Sequence, residues 1–238
     1  ANALDAPLKE TLAAAMIELS YWNKDRVLMD PFCGSGTIAI EAASIACGLV
    51  PGISRSFGFE KLLNFDRELW TELREDAKSE VNLHREVSIT ASDISSIVVR
   101  KAEANALRAG LGGLLESGNL KFSVCDARNV LPPTETPGII VANPPYGEQS
   151  TPRSATVGSM MRHVADNLKH NFAGWTAWML TSDRHLPGEM HLKEGRKTVL
   201  FNGPLECRFF KFDLVAGSNR RVKNRDAASD GTPSDAES

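Results

Sequence analysis

Asn143-Pro144-Pro145-Tyr146 follows a short apolar run, Gly138-Ile139-Ile140-Val141-Ala142, that reads as a buried strand. Proline has no N–H and fixes φ, so the chain past Asn143 is extended and its carbonyls lack local donors. Asn143 Oδ1 and a neighbouring carbonyl can each accept one N–H of a planar amino group. Tyr146 can stack on the ring that carries it. Taken alone, this run would be a proline turn after a strand. A second motif upstream changes that reading. Val27-Leu28-Met29-Asp30-Pro31-Phe32-Cys33-Gly34-Ser35-Gly36-Thr37 is a strand ending in an acid, a Gly-x-Gly loop and the start of a helix. This strand–loop–helix pattern lets a ligand lie close to the backbone. The third glycine of the dinucleotide fingerprint is missing, and so is the Gly-Lys-Ser/Thr of a phosphate loop. The acid would repel phosphate and suits an ammonium group.

Together the two motifs resemble the class I S-adenosylmethionine-dependent methyltransferases that modify exocyclic amines. The pairing is most similar to the catalytic domain of the THUMP-containing RNA guanine-N2 methyltransferases of the bacterial 23S rRNA type, once described as N6-adenine-specific DNA methylases. The resemblance runs from about Ala6 to about Val215. It is supported by the stretches from Ala6 to Ala14, Arg55 to Glu60 and Phe209 to Leu214.

The resemblance implies S-adenosylmethionine as cofactor and assigns residues to it. Gly34 and Gly36 would let its methionine part lie on the backbone, where a side chain would collide. Asp30 would balance the α-ammonium. Asp93, past the second strand, would accept both ribose hydroxyls. Asp126 would accept the adenine amine, with Ala127 beside it. Pro31, Cys33, Thr37, Ile94 and Asn143 complete the set, and Thr11 would cover the cofactor from the leading helix. Any one of these aspartates alone would be read as a helix cap; the series at successive strand ends is what points to a site. Asn143, Pro144, Pro145 and Tyr146 would grip the acceptor base after it leaves its stack. Arg55, Phe57 and Phe59 are expected near the pocket mouth, where basic and aromatic residues suit nucleic acid; core and surface of an irregular loop is the equal alternative. Residues 49–84 are an insertion that separates the glycine loop from Asp93.

The elements that must position these groups alternate. Apolar spacing predicts a helix over Ala6 to Trp22, capped by Asp5 with Pro7 in its first turn. A strand over Val27 to Met29 and a helix over Ile38 to Cys47 follow. After an irregular stretch, Leu49 to Asn64, a helix is expected over Asp66 to Leu83, a strand over Val87 to Ala91 and a helix over Ser95 to Ala109, stopped at Gly110. Strands are expected at Leu120 to Val124, Ile139 to Ala142 and Thr176 to Leu180, with a helix over Val157 to Asn171. Two last strands, Lys197 to Phe201 and Cys207 to Val215, are joined by Asn202-Gly203-Pro204. Alternation predicts an α/β doubly wound, mostly parallel sheet. The resemblance makes it the Rossmann-like, seven-stranded class I methyltransferase fold with a closing antiparallel hairpin. The expected organisation is a leading helix or linker over 1–22, a methyltransferase domain over 23–216 and a basic then disordered tail over 217–238 with Arg220, Arg221, Lys223 and Arg225.

Composition narrows the function classes. The 238 residues are 42% hydrophobic and 24% charged, enough for one ordinary α/β domain. No apolar run reaches the roughly 20 residues of a membrane helix. No signal peptide is visible, and a cytoplasmic protein is expected. Four scattered cysteines and five histidines show no metal or disulfide spacing, so no metal is expected. The net charge of −3 argues that another module grips RNA, since phosphate contacts supply most of such affinity. In the resembled family that is the THUMP region, which is not seen here; the chain is expected to be a fragment. The expected substrate is RNA, 23S rRNA first and tRNA second. The rivals are N6-adenine methylation of DNA, N5-methylation of a protein glutamine, and a non-catalytic RNA-binding or ribosome-assembly module.

Overall fold

The computed structural model describes residues 7–53, 55–145 and 151–215, with backbone alone over 151–156. Asp5, Ala6, Tyr146 and the basic cluster of the tail lie outside the described residues. Seven strands form one sheet: β1 (Leu28–Asp30), β2 (Ile89–Asp93), β3 (Leu120–Val124), β4 (Ile139–Ala142), β5 (Thr176–Thr181), β6 (Glu194–Asn202) and β7 (Leu205–Asp213). Their order is β3-β2-β1-β4-β5-β7-β6. β1 to β5 pair in parallel, and β7 runs antiparallel between β5 and β6. This is the doubly wound sheet with a closing hairpin that the sequence predicts. The strand order reverses between β1 and β4, and in such sheets ligands bind at the carboxyl ends of the strands flanking that reversal.

The central strands are buried on both sides. Every residue of β1 and β4 is buried, which explains why both read as continuous apolar runs rather than alternating ones. On one face, α1 (Glu10–Leu19), α2 (Thr37–Cys47) and α4 (Ser96–Arg108) share a core with Leu28, Ile89, Val141, Trp178 and Phe209. On the other, α6 (Thr151–Asn171) packs Met161, Val164 and Leu168, with Phe172 just after it, onto Ile140, Met179, Phe210 and Phe212. The alternation of Trp178 with Met179, and of Phe209 with Phe210, assigns each strand position to one face.

Several boundaries differ from expectation. The first helix is shorter than Ala6 to Trp22, and its N-cap is Lys9, not Asp5. Lys9 is extended, and Tyr21 takes a φ of 55°, which ends the helix after Ser20. The helix of the insertion, α3 (Arg67–Ser79), starts at an Asp66 cap but stops before Leu83. Gly58–Lys61, expected to be irregular, forms a 3-10 turn. The second strand is displaced to Ile89–Asp93, so Asp93 is its last residue. Two short helices, α5 (Gly112–Ser117) and α7 (Leu186–Met190), were not predicted. Both are a turn or two long, below the window in which a helical period shows. α6 begins at Thr151, earlier than Val157.

Candidate functional site

Aspartates stand at or just past the carboxyl ends of four parallel strands, and each is held the same way. One carboxylate oxygen accepts the N–H two residues on: Asp30 from Phe32 (3.0 Å), Asp93 from Ser95 (2.9 Å), Asp126 from Arg128 (2.9 Å) and Asp183 from His185 (2.8 Å). Such turns fix the side chain and leave its second oxygen to do something else. The second oxygens differ. Asp93 Oδ2 accepts from the Gly34 N–H at 3.2 Å, which ties the end of β2 to the glycine loop. Asp126 is clasped by the Arg128 guanidinium, and those hydrogen bonds hold its carboxyl below the usual carboxylate range. Asp30 Oδ2 is buried without any hydrogen-bond partner among the described residues. Burial pushes the Asp30 carboxyl up to about 7, against the Phe32 N–H bond and with help from the nearby Asp93 charge.

The loop after β1 is shaped by its two glycines. Gly34 and Gly36 take φ of 52° and 88°. A Cβ on Gly34 would meet nothing, because that direction is open space. A Cβ on Gly36 would meet Ala102 Cβ at 3.0 Å and Phe122 Cε1 at 3.2 Å. The expectation that a side chain at either glycine would project into the ligand therefore fits Gly34 alone. Gly36 is needed where α2, α4 and β3 converge. Cys33 is buried, and burial together with the Asp30 and Asp93 charges pushes its thiol far up, so it packs as an inert small group.

A cleft of about 270 Å³ joins the two sequence motifs: its walls include Asp30, Cys33, Gly34, Thr37 and Asn143. Pro7 and Leu8 close it from the segment before α1. Thr11 is exposed one turn further along and does not line it. Leu8 was legible only as an apolar residue of the leading helix, and Phe32, Ser35 and Ile38 as neighbours of the glycine loop. Pro144 is buried and Pro145 exposed beside Asn143. Ile94, 68% exposed, presents an apolar surface just past Asp93, and Ala127 is buried beside Asp126. A larger groove of about 710 Å³ runs along the edge strand β3, but Asp30, Gly34 and Asn143 are absent from its walls. Chemistry, not size, marks the smaller cleft.

Arg55, Phe57 and Phe59 are not brought to this cleft. The insertion is rooted where α2 ends and the chain turns toward β2: the Asn82 N–H donates to the Cys47 carbonyl at 2.9 Å. That root is at the amino edge of the sheet, opposite Asp30 and Asn143. The aromatic residues satisfy one another there. Phe57 and Phe59 stack at 5.3 Å, Trp70 meets both edge-on, and Arg55 lies 4.8 Å over Phe57. Asp183 is the residue that reading the sequence missed. Its signal was a Thr-Ser-Asp at the end of the fifth apolar strand, with the acid two residues past it as Asp126 is past β3.

The donor set fits a cationic, flat-ringed ligand. An unpaired buried carboxylate oxygen suits an ammonium, open space above Gly34 admits a chain lying on the backbone, and Ile94 offers a face for a ring. Among the described residues no group of His, Cys, Asp and Glu could hold a metal ion, and no helix is long and apolar enough to cross a membrane.

Comparison with known proteins agrees with this geometry. Residues 2–211 match the family described as RMKL-like, methyltransferase domain. A ribosomal RNA large subunit methyltransferase K/L of Shewanella baltica is 41% identical over 225 residues, covering 91% of this chain and 30% of that protein. The chain thus spans less than a third of the length of such curated relatives. Among solved structures, a possible methylase from Clostridium difficile 630 is 33% identical with a TM-score of 0.81, covering 91% of this chain and 55% of that one. SMU.472 in its complex with SAH is 29% identical with a TM-score of 0.80, covering 90% and 55%.

Proposed function

This chain belongs to the RMKL-like methyltransferase domain family, and on that premise we propose that it methylates the exocyclic N2 amine of a guanosine in RNA, with S-adenosylmethionine as donor and large-subunit (23S) ribosomal RNA as substrate. One observation carries this reading: a single cleft is lined both by the buried, unpaired Asp30 beside the Gly34 backbone and by Asn143 at the adjacent strand end. Asp30 and Asn143 lie at the ends of neighbouring strands across the point where the strand order reverses, which supports donor and acceptor sides of one site. The relatives named as ribosomal RNA large subunit methyltransferases and the solved complex with SAH support the substrate and the cofactor.

In this reading Asp30 holds the α-ammonium, Asp93 the ribose and Asp126 with Ala127 the adenine. When bound, the cofactor supplies a methyl group on a positively charged sulfur, open to in-line displacement by a nitrogen. The protein's part is alignment, which can supply much of the acceleration. An exocyclic amine is a weak nucleophile because its lone pair is delocalised into the ring. Asn143 Oδ1 and the Pro144 carbonyl accept its two N–H groups, favour a pyramidal nitrogen and stabilise the charge that grows on it. The prolines keep those acceptors in place, and Tyr146 stacks on the base. A chain of net charge −3 supports a separate RNA-gripping module, a THUMP region in the family it resembles.

The test is transfer of labelled methyl to unmodified 23S rRNA, tRNA, DNA and ribosomal protein, followed by nucleoside and amino-acid analysis. N2-methylguanosine in 23S rRNA is expected; N6-methyladenine or methylglutamine would replace the acceptor. Asn143→Ala should lower kcat by about 10²–10³-fold, as when one fixed acceptor or donor is removed from a preorganised site. Undiminished kcat would remove Asn143 from the chemistry.

A further inference from the structure

Three of the four strand-end aspartates serve the donor half of the cleft in the reading above. The fourth, Asp183, stands past β5, on the acceptor side of Asn143. β4 and β5 are parallel neighbours with Ala142 opposite Met179. Continuing that register puts Pro144 alongside Thr181, two residues before Asp183. Asp183 is half-buried, and its Oδ1 is fixed by the His185 N–H at 2.8 Å. Its Oδ2 has no hydrogen-bond partner among the described residues. Of the other acids near this rim, Glu206 is paired with Arg184 and Arg208, while the Glu189 carboxyl on α7 is pushed up by burial and by the Asp183 charge itself, with His185 and Arg162 offsetting it in part. Asp183 is therefore a fixed carboxylate with one oxygen uncommitted, next to the peptide proposed to grip an amine.

The chemistry of the two candidate bases differs at one atom beside that amine. Guanine carries N1–H next to its N2 amine, a row of donors. Adenine, and any purine unprotonated at N1, presents a lone pair there. A carboxylate accepts from the first and repels the second. We propose that Asp183 selects the acceptor base by taking the N1–H of guanine, while Asn143 and Pro144 take the N2 amine. This rests on the guanine-N2 reading and deepens it. A site built to hydrogen-bond one group rejects the analogue lacking it strongly, because the buried acceptor is then left facing another acceptor.

The experiment compares guanosine with 2-aminopurine, which keeps the 2-amine but has an unprotonated N1. The methylated position is first mapped in 23S rRNA with the wild-type protein. An otherwise identical RNA carrying 2-aminopurine at that position is then assembled by ligation. Wild type should prefer guanosine by about 10²-fold or more in kcat/KM. Asp183→Asn keeps the acceptor for His185 N–H, so the turn survives, and places an amide donor where the free oxygen was. It should lose activity on guanosine and shrink the preference to below about 10-fold. Asp183→Ser, which also caps such a turn, should lower activity on guanosine without gaining on 2-aminopurine. A purely structural role would lower both substrates alike, and that result, or an unchanged preference in Asp183→Asn, overturns the proposal. If wild type yields N6-methyladenine and no N2-methylguanosine, the guanine reading falls and the role of Asp183 with it. N2-methylguanosine with an unaltered preference removes Asp183 alone.

Discussion

At the scale of single residues, Asp30 has the most unusual position: a carboxylate 1% exposed, with one oxygen unpartnered and its pKa raised to about 7. In the unfolded chain it titrates near 4. Below pH 4 both states hold the proton and burial costs little. Between pH 4 and 7 the unfolded state ionises first, so stability falls as pH rises; above 7 the loss is complete and constant. Asp30→Asn should therefore melt higher than wild type at pH 8 without cofactor, and the difference should vanish below pH 4. A cation bound beside Asp30 favours the ionised form, so cofactor affinity should rise through pH 7 in wild type and lose that rise in Asp30→Asn. Thermal melts and binding titrations across pH 4–9 check both. The glycines give a second contrast. Gly36→Ala must fit against Ala102 at a φ of 88° and should cost roughly 2–4 kcal/mol in urea unfolding. Gly34→Ala meets no neighbour and should cost only about 1–2 kcal/mol from its left-handed backbone, while weakening cofactor binding more than Gly36→Ala does relative to stability. Asp30, Asp93, Asp126, the glycine loop and Asn143 were legible because each departs from what its strand needs: a polar residue ends a buried run. The different duties of the two glycines were not, since the cause is Ala102 and Phe122, far along the chain.

At the scale of elements, the insertion stands apart from the rest. α3 is amphipathic, yet none of its residues is buried, and Leu69 and Leu73 are about half exposed. α2, by contrast, buries Ile38, Ala39, Ala42, Ala43, Ala46 and Cys47. Local stability follows buried contacts, so amides of α3 should exchange with solvent near the rate of local opening, orders of magnitude faster than those of α2. Equal protection of both helices, measured by hydrogen exchange, would mean that the aromatic cluster alone holds α3. The sequence marks residues 49–64 as irregular but does not show which way they extend. Arginine beside phenylalanine suits both a stacking surface for bases and a self-satisfied cluster, and the choice is made by Trp70, a partner supplied by the next helix. The long elements were legible for a simpler reason. Val27 to Met29 and β4 are continuously apolar and α6 has its apolar side chains in helical register, whereas α5 and α7 are too short for any period to show.

At the scale of the whole molecule, polar groups gather at the carboxyl ends of the parallel strands. The ends of β1, β2 and β3 offer acids, and those of β4 and β5 offer Asn143 and Asp183. The surface as a whole carries −3. A protein that releases few counterions has a shallow salt dependence, so 23S rRNA binding by this chain should show a slope of log K on log salt nearer −2 than the roughly −6 of a dedicated RNA binder. Filter binding at 50–200 mM salt checks it, and a steep slope would locate a phosphate-gripping surface within these residues. The overall architecture was readable because strands and helices alternate without a break. Of the polar residues at the strand ends, Asp30, Asp93, Asp126 and Asn143 stood out in the sequence, and Asp183 past β5 did not. The root of the insertion has a consequence of another kind. Cys47 and Asn82 are joined by a backbone hydrogen bond, so the segment beyond Leu49, which still packs on the core, leaves and re-enters the fold at neighbouring points. Closing a longer chain there adds only about 0.6 kcal/mol for each doubling of its length. Lineages could lengthen, shorten or replace that segment without disturbing either half of the cleft, which makes the stem the place where length variation should accumulate and where a reporter domain could be grafted.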